Sequence, residues 1–409
     1  MIPKVSSKSI LYQYDMMKRS FLLIMAIFFT RLTYGQTNQI DTKLNWSERM
    51  ALSVMKRNPE AWQIDFMDRP VWSYPQGLML HALEELWREN EDEIYYQYIK
   101  AYADKLIDQN GQIETYKYET YNIDMINSGK LLFNLYGKTN DERYKTAIET
   151  LRRQLKYQPR TKEGGFWHKA RYTNQMWLDG AYMGTPFLMQ YALEFDDEAA
   201  FEEGVLQLVL MEKHLRDPKT GLLYHGWDES RFQSWSDPET GRSPNIWGRA
   251  MGWYAMALVD ALDYLPEEHY GRVVLGGILQ RLATAVATYQ DEETGLWYQV
   301  IDKGGQAGNY LEASASSMFV YALAKGVNKS YLDEKFLLTA QEGFEGILDH
   351  LIEVEADGEV SLTQVCAVAG LGGSPYRDGT YEYYVNEKIR INDPKGVGPF
   401  ILAALELGR

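Results

Sequence analysis

What most constrains this chain is a unit that recurs along it: a glycine turn, a stretch of loop, then a helix of small and apolar residues. Arg216-Asp217-Pro218-Lys219-Thr220-Gly221-Leu222-Leu223-Tyr224 returns 74 positions later as Gln290-Asp291-Glu292-Glu293-Thr294-Gly295-Leu296-Trp297-Tyr298, and weaker relatives put glycine at 111, 165 and 358. Runs rich in small and apolar residues, each ending in an Ala-Leu-like pair, lie at 77–83, 129–135, 187–193, 252–258, 317–323 and 398–405. A helix apolar on most faces must be buried, whereas segments 89–106, 141–155 and 331–351 carry charge on one side and read as outer amphipathic helices. Six inner and six outer helices at this repeat length predict an all-α fold, a six-hairpin (α/α)6 toroid. An open solenoid is the alternative, but no capping repeats are evident and the loops are long and aromatic.

A chain of 409 residues, 45% hydrophobic and 24% charged, can fill such a ring as one domain, expected over 36–409. Its net charge of −15 argues against a general nucleic-acid or anionic-membrane surface, so any cations that bind an anionic ligand must be local. The 30 tyrosines and 11 tryptophans suit stacking on sugars and suit a helical core equally well. Cys366 is the only cysteine, which excludes a disulfide framework and a thiolate metal site. Near the N-terminus, Met17-Lys18-Arg19 precedes an apolar run over 21–29 and the small residues around Thr33-Tyr34-Gly35. This pattern reads as a signal peptide over 1–35, with Met16 or Met17 the true start, and predicts export to the periplasm, or full secretion. The run is too short to span a bilayer; a short buried helix is the other reading.

One acid stands out among the loops that precede the inner helices. Asn174-Gln175-Met176-Trp177-Leu178-Asp179-Gly180-Ala181-Tyr182-Met183-Gly184-Thr185-Pro186 sets Asp179 among residues that offer it no charge partner. A carboxyl desolvated beside Trp177, Tyr182 and Met176 tends to keep its proton, as a general acid must; the alternative is a cap on a helix opening at Gly180. Asp124, in Tyr121-Asn122-Ile123-Asp124-Met125, occupies a parallel place before its own inner helix, so the two should face one cavity unless it too is a cap. Two carboxylates sharing a pocket leave one ionised and the other protonated. Cations follow in Trp167-His168-Lys169-Ala170-Arg171, Tyr224-His225-Gly226-Trp227-Asp228 and Asn245-Ile246-Trp247-Gly248-Arg249-Ala250-Met251-Gly252-Trp253. Arg249, at the start of a buried helix, opposes the helix dipole unless an anion compensates, which suggests an anionic ligand. Lys169 and Arg171 could instead be solvated loop charges, and His225 a hydrogen-bonded core histidine. No metal-ligand spacing, Ser or Cys triad or phosphate loop appears, so neither a metal nor a cofactor is expected.

Taken in order, Asp124, Trp-His-Lys at 167–169, Met-Trp-Leu-Asp-Gly-Ala-Tyr-Met at 176–183, His225-Gly-Trp-Asp and the Trp247 to Trp253 block resemble the unsaturated glycuronyl hydrolases of glycoside hydrolase families 88 and 105. The similarity runs from Trp46 to the C-terminus and is strongest to the unsaturated rhamnogalacturonyl hydrolases of family 105. It implies the same six-hairpin toroid, no cofactor, and an oligosaccharide substrate left by a polysaccharide lyase, with a 4,5-unsaturated uronic acid on rhamnose from rhamnogalacturonan or ulvan. It assigns Asp179 and Asp124 as the catalytic pair. His168, Lys169, Trp177, His225, Trp247 and Arg249 become substrate contacts, Trp177 as a stacking wall. Three other readings fit such residues. A sugar epimerase on the same toroid would need histidine bases, an oligosaccharide-binding protein could dispense with Asp179, and an ordinary retaining glycosidase would act on saturated sugars.

Overall fold

The computed structural model describes residues 39–409, so the signal segment expected over 1–35 lies outside the described residues. The helices, in chain order, are α1 (Trp46–Arg57), α2 (Tyr74–Asn90), α3 (Glu93–Leu106), α4 (Lys130–Thr139), α5 (Glu142–Lys156), α6 (Leu178–Glu194), α7 (Glu198–Leu215), α8 (Gly248–Tyr264), α9 (Gly271–Thr288), α10 (Ala313–Asn328), α11 (Lys335–His350), the short α12 (Tyr381–Val385) and α13 (Pro394–Glu406). A 3-10 stretch, Ile123–Gly129, leads into α4.

Burial sorts them into two layers. Every residue of α8 from Gly248 to Leu262 is buried, as befits a helix without a polar face. In α5 only Tyr144, Ala147, Ile148, Leu151, Gln154 and Leu155 are buried, a stripe at three- and four-residue spacing with the charges turned outward. The inner helices pack in a closed cycle: α2 on the 3-10 stretch and α4, that stretch on α6, then α8, α10, α13 and back to α2. Outer helices α3, α5, α7, α9 and α11 each back the inner helix before them. The sixth hairpin joins the two ends of the described chain, with α1 against α13 and the Ser47 N–H donating to Arg409 O at 3.3 Å.

The glycine turns follow the outer helices and return the chain to the ring. Gly111, Gly221, Gly295 and Gly358 have φ of 74°, 77°, 71° and 83°, the left-handed region where a side chain is strained. At Gly295 a Cβ would also lie 2.4 Å from Glu342 O. In the second turn this conformation falls on Gly164 (φ 98°) rather than on the expected Gly165. The expected outer helix at 89–106 is likewise divided: Glu89 and Asn90 finish α2, the chain reverses at Glu91 (φ 57°), and Asp92 caps α3 by accepting from Ile94 N–H. A two-stranded antiparallel ribbon, β1 (Gln175–Trp177) with β2 (Gly226–Asp228), braces the entrance to α6 and pairs Trp177 with Gly226.

Candidate active site

The inner helices start side by side, tied through their entry loops: Ile123 N–H donates to His168 O, Leu178 N–H to His225 O, and Gly248 N–H to Gln299 O. Residues far apart in the chain therefore meet at one mouth. Asp179 is the second residue of α6; the N-cap is Trp177 and no side chain caps this helix, which removes the capping alternative. Asp124 is not a cap either, because Asn122 fills that role and accepts from the Asp124 N–H at 3.2 Å. Glycine lets the two acid-bearing segments come together: a Cβ on Gly180 would stand 3.1 Å from His168 Nδ1, and one on Gly184 would stand 2.9 Å from Ile123 Cδ1.

The two carboxyls have different partners. Lys169 Nζ lies 2.6 Å from Asp124 Oδ2, and His168 Nε2 lies 3.2 Å from its Oδ1. Burial alone would push the Asp124 carboxyl up, but Lys169 and His168 outweigh it by charge and hydrogen bonding and hold it well below the usual carboxylate range. Asp124 is thus an anion at any working pH. Asp179, which the local sequence leaves without a partner, acquires a neighbour through the fold: His225 Nε2 is 3.0 Å from its Oδ2. The pair is close but off the line of a hydrogen bond, and neither atom has another hydrogen-bond partner. His225 Nδ1 sits 2.7 Å from the hydroxyl of Tyr384, which fixes the ring.

Aromatic rings connect the two halves. His168 stacks on Trp177 at 4.5 Å, Trp177 meets His225 edge-on at 5.6 Å, and His225 lies 4.9 Å from Trp247. Of the eight residues expected in the site, Asp124, Lys169 and Asp179 reach solvent, with side chains 14%, 17% and 15% exposed. His168, Trp177, His225, Trp247 and Arg249 are buried behind them. This revises the roles of the tryptophans. Trp177 carries His168 and Tyr172 stacked against it, and Trp247 packs on Tyr384 while donating to Gln299 Oε1 at 3.0 Å, so neither presents an open ring face to a sugar.

Arg249 needs a second correction. An anion does compensate it at the start of α8, but the anion is Glu312, 3.6 Å away and completely buried. The guanidinium also donates to Ser314 Oγ at 2.7 Å and to the carbonyls of Cys366 and Ala367. Its charge is therefore neutralised within the protein, and no anionic ligand is required to explain it. Sequence reasoning does not single out Tyr384 or Glu312, whereas the segment near Tyr74 is one it expects to help form the pocket. Tyr74, the first residue of α2, lies edge-on to Trp253 at 6.3 Å; burial, then the Asp124 charge, drives its phenol well above the ordinary range. Only a long-range contact could have revealed Tyr384, 159 positions from His225.

Comparison with known proteins gives the family and the fold. The sequence profile of Glycosyl Hydrolase Family 88 matches residues 46–409. A family 105 glycoside hydrolase from C. acetobutylicum ATCC 824 shares 45% sequence identity and superposes with a TM-score of 0.86, covering 89% of this chain and 99% of that one. An unsaturated rhamnogalacturonyl hydrolase, YesR of Bacillus subtilis (strain 168), is 28% identical over 347 residues, 83% of this chain and 92% of its own length. An unsaturated 3S-rhamnoglycuronyl hydrolase of Formosa agariphila is 25% identical over 205 residues, 49% of this chain and 51% of its own length. The fold and the family match define a glycoside hydrolase on a helical toroid. The chain belongs to glycosyl hydrolase family 88 and is similar to the family 105 enzymes, which sets aside the epimerase and the non-catalytic binding protein.

Proposed function

We propose that this enzyme removes the 4,5-unsaturated uronic acid from the non-reducing end of lyase-generated oligosaccharides in which that sugar is linked to rhamnose, from rhamnogalacturonan or ulvan. The names of the B. subtilis and F. agariphila relatives, both rhamnose-linked, support the aglycone. The observation that carries the chemistry is the asymmetry of the acids: Asp124 is tied as an anion to Lys169 and His168, whereas Asp179 meets only the His225 ring among the described residues, so the donor role is assigned to Asp179.

In this reaction Asp179 delivers its proton to C4 of the C4=C5 double bond. Positive charge develops at C5 and the ring oxygen, where the Asp124 carboxylate stabilises it. Water adds to C5 and returns a proton to Asp179. The resulting hemiketal opens by breaking the bond between C5 and the ring oxygen, leaving a ketone at C5, and the hemiacetal left at C1 collapses to release the aglycone. Consumption of the double bond removes its ultraviolet absorbance, so turnover is read directly. Asp179→Asn should abolish that loss while oligosaccharide binding, followed calorimetrically, persists. Continued turnover by this variant would take the proton-donor role from Asp179. We further infer from the basic and apolar pattern at 17–35 that the enzyme works in the periplasm, which cell fractionation tests.

A further inference from the structure

A cleft of about 480 Å³ opens on the far side of Tyr172 from Trp177, lined among others by Arg171, Tyr172, Gln175, Gln233 and Arg377. Two guanidinium groups converge there on one oxygen: Arg171 Nη2 donates to the Tyr172 hydroxyl at 2.9 Å and Arg377 Nη2 donates to it at 2.8 Å. Among the described residues neither arginine has a carboxylate within ion-pair distance, although the protein as a whole is strongly acidic. Two cations gathered around one neutral phenol repel each other, and an oxyanion seated between them would relieve that repulsion while accepting planar, charge-assisted hydrogen bonds. Arg377 Nε and Nη2 are already committed to the carbonyls of Gly372 and Leu371, so its guanidinium is held in place before any ligand arrives.

Exposed rings adjoin two of the lining residues in the chain: Phe232, 90% exposed, precedes Gln233, and Tyr376, 49% exposed, precedes Arg377. The cleft is also one aromatic layer from the chemistry: Tyr172 stacks on Trp177 at 4.6 Å, and Trp177 touches both His168 and His225.

We propose that the cleft between Arg171 and Arg377 is an aglycone subsite that binds an anionic substituent, a carboxylate or a sulfate ester, on a sugar beyond the one released. This rests on the reaction proposed above and adds a preference for acidic oligosaccharides over the minimal disaccharide.

Three substrates test it: the unsaturated rhamnogalacturonan disaccharide, whose aglycone is neutral; the corresponding tetrasaccharide, which adds a second uronate; and the sulfated ulvan disaccharide. Arg171→Gln is the informative variant, because Arg171 is exposed and makes a single hydrogen bond; Arg377→Gln accompanies it but also loosens the loop its guanidinium ties down. Arg171→Gln should raise KM about tenfold for the anionic substrate relative to the neutral disaccharide, with kcat moved much less. A rise confined to the tetrasaccharide identifies a carboxylate site, and one confined to the sulfated disaccharide a sulfate site. Equal changes on all three substrates, or none, would overturn the proposal. If the wild-type enzyme turned over none of them, the reaction proposed above would fail by itself. The subsite would then be judged by calorimetric titration with the saturated rhamnogalacturonan tetrasaccharide and the sulfated disaccharide: salt-sensitive binding of either that Arg171→Gln weakens supports it, and equal binding by both proteins ends it.

Discussion

Replacing Lys169 by methionine keeps the aliphatic stem and removes the cation that holds Asp124 ionised. Lys169 Nζ is 2.6 Å from Asp124 Oδ2 and both side chains are largely buried, so the interaction belongs with charge-assisted hydrogen bonds, worth about 1.5–3 kcal/mol. At about 1.4 kcal/mol per pKa unit, its loss should move the Asp124 carboxyl up by roughly one to two units. His168 remains 3.2 Å from the other oxygen, so Asp124 stays ionised at neutral pH. The sign is fixed by linkage. A carboxyl depressed in the folded state contributes stability above its unfolded pKa, about 3.9, and loses it as pH falls through the folded value; the variant should therefore be less stable at neutral pH. A double-mutant cycle with Asp124→Asn, followed by chemical denaturation at pH 7, reads the effect. We expect a coupling of about 1.5–3 kcal/mol between the two positions. A coupling near zero would refute the view that Lys169 holds the charge on Asp124.

Glu312→Gln keeps the shape of a side chain that accepts from Ser314 Oγ, Ala315 N and Cys366 N, but it leaves the buried Arg249 without its anion. A loss of about 3–5 kcal/mol in chemical denaturation is expected, whereas Lys213→Ala at the exposed pair with Glu163 should leave the midpoint in place. Tyr384→Phe removes the partner of the buried His225 Nδ1; it should cost about 1–3 kcal/mol of stability and lower kcat more than it raises KM, because His225 faces Asp179. Lys130, buried against Tyr182, has its ammonium pushed down to about 8 chiefly by burial, so the folded state releases this proton before the unfolded chain does. Stability should then rise between about pH 8 and pH 10, and Lys130→Met should flatten that rise in denaturation midpoints measured across the interval.

The ring was legible in the sequence because its signal is local and repeated: the inner helices are largely apolar, α8 on every face, and the glycine turn after each outer helix from α3 on takes a left-handed residue. Asp124, Asp179, His168 and Lys169 were legible as candidates because each stands in an aromatic setting shortly ahead of an inner helix or at its start, and His225 because it stands in a glycine and aromatic block of its own. Their partners were not. That Arg249 is neutralised by Glu312, or that His225 is fixed by Tyr384, depends on contacts between helix entrances that sequence spacing does not encode. The same limit explains Trp177: a tryptophan beside a candidate acid reads as a sugar platform until the fold lays His168 and Tyr172 against it.

The caps of the inner helices show how an acidic protein can receive an acidic sugar. At α10 and α13 the entering N–H groups are capped by the chain's own carboxylates, Glu312 and Asp393, so the positive end of each helix dipole is spent inside the protein. At α6 and α8 the N-caps are Trp177 and Trp247, which offer no acceptor, and at α2 and α4 no side-chain cap forms either. The mouth is therefore electrically lopsided: neutralised where Arg249 is buried, and positive where Asp179 enters. Lys169 strengthens the positive side, but its ammonium is already engaged by Asp124. A substrate carboxylate approaching Lys169 would compete with Asp124 for that charge, and any weakening of the Lys169–Asp124 pair leaves the Asp124 charge less compensated toward the cation forming at C5. On this view KM and kcat are coupled through one lysine, so Lys169→Met should also blunt the preference for a carboxylate over a neutral group at C5, which an amide-substituted substrate would measure.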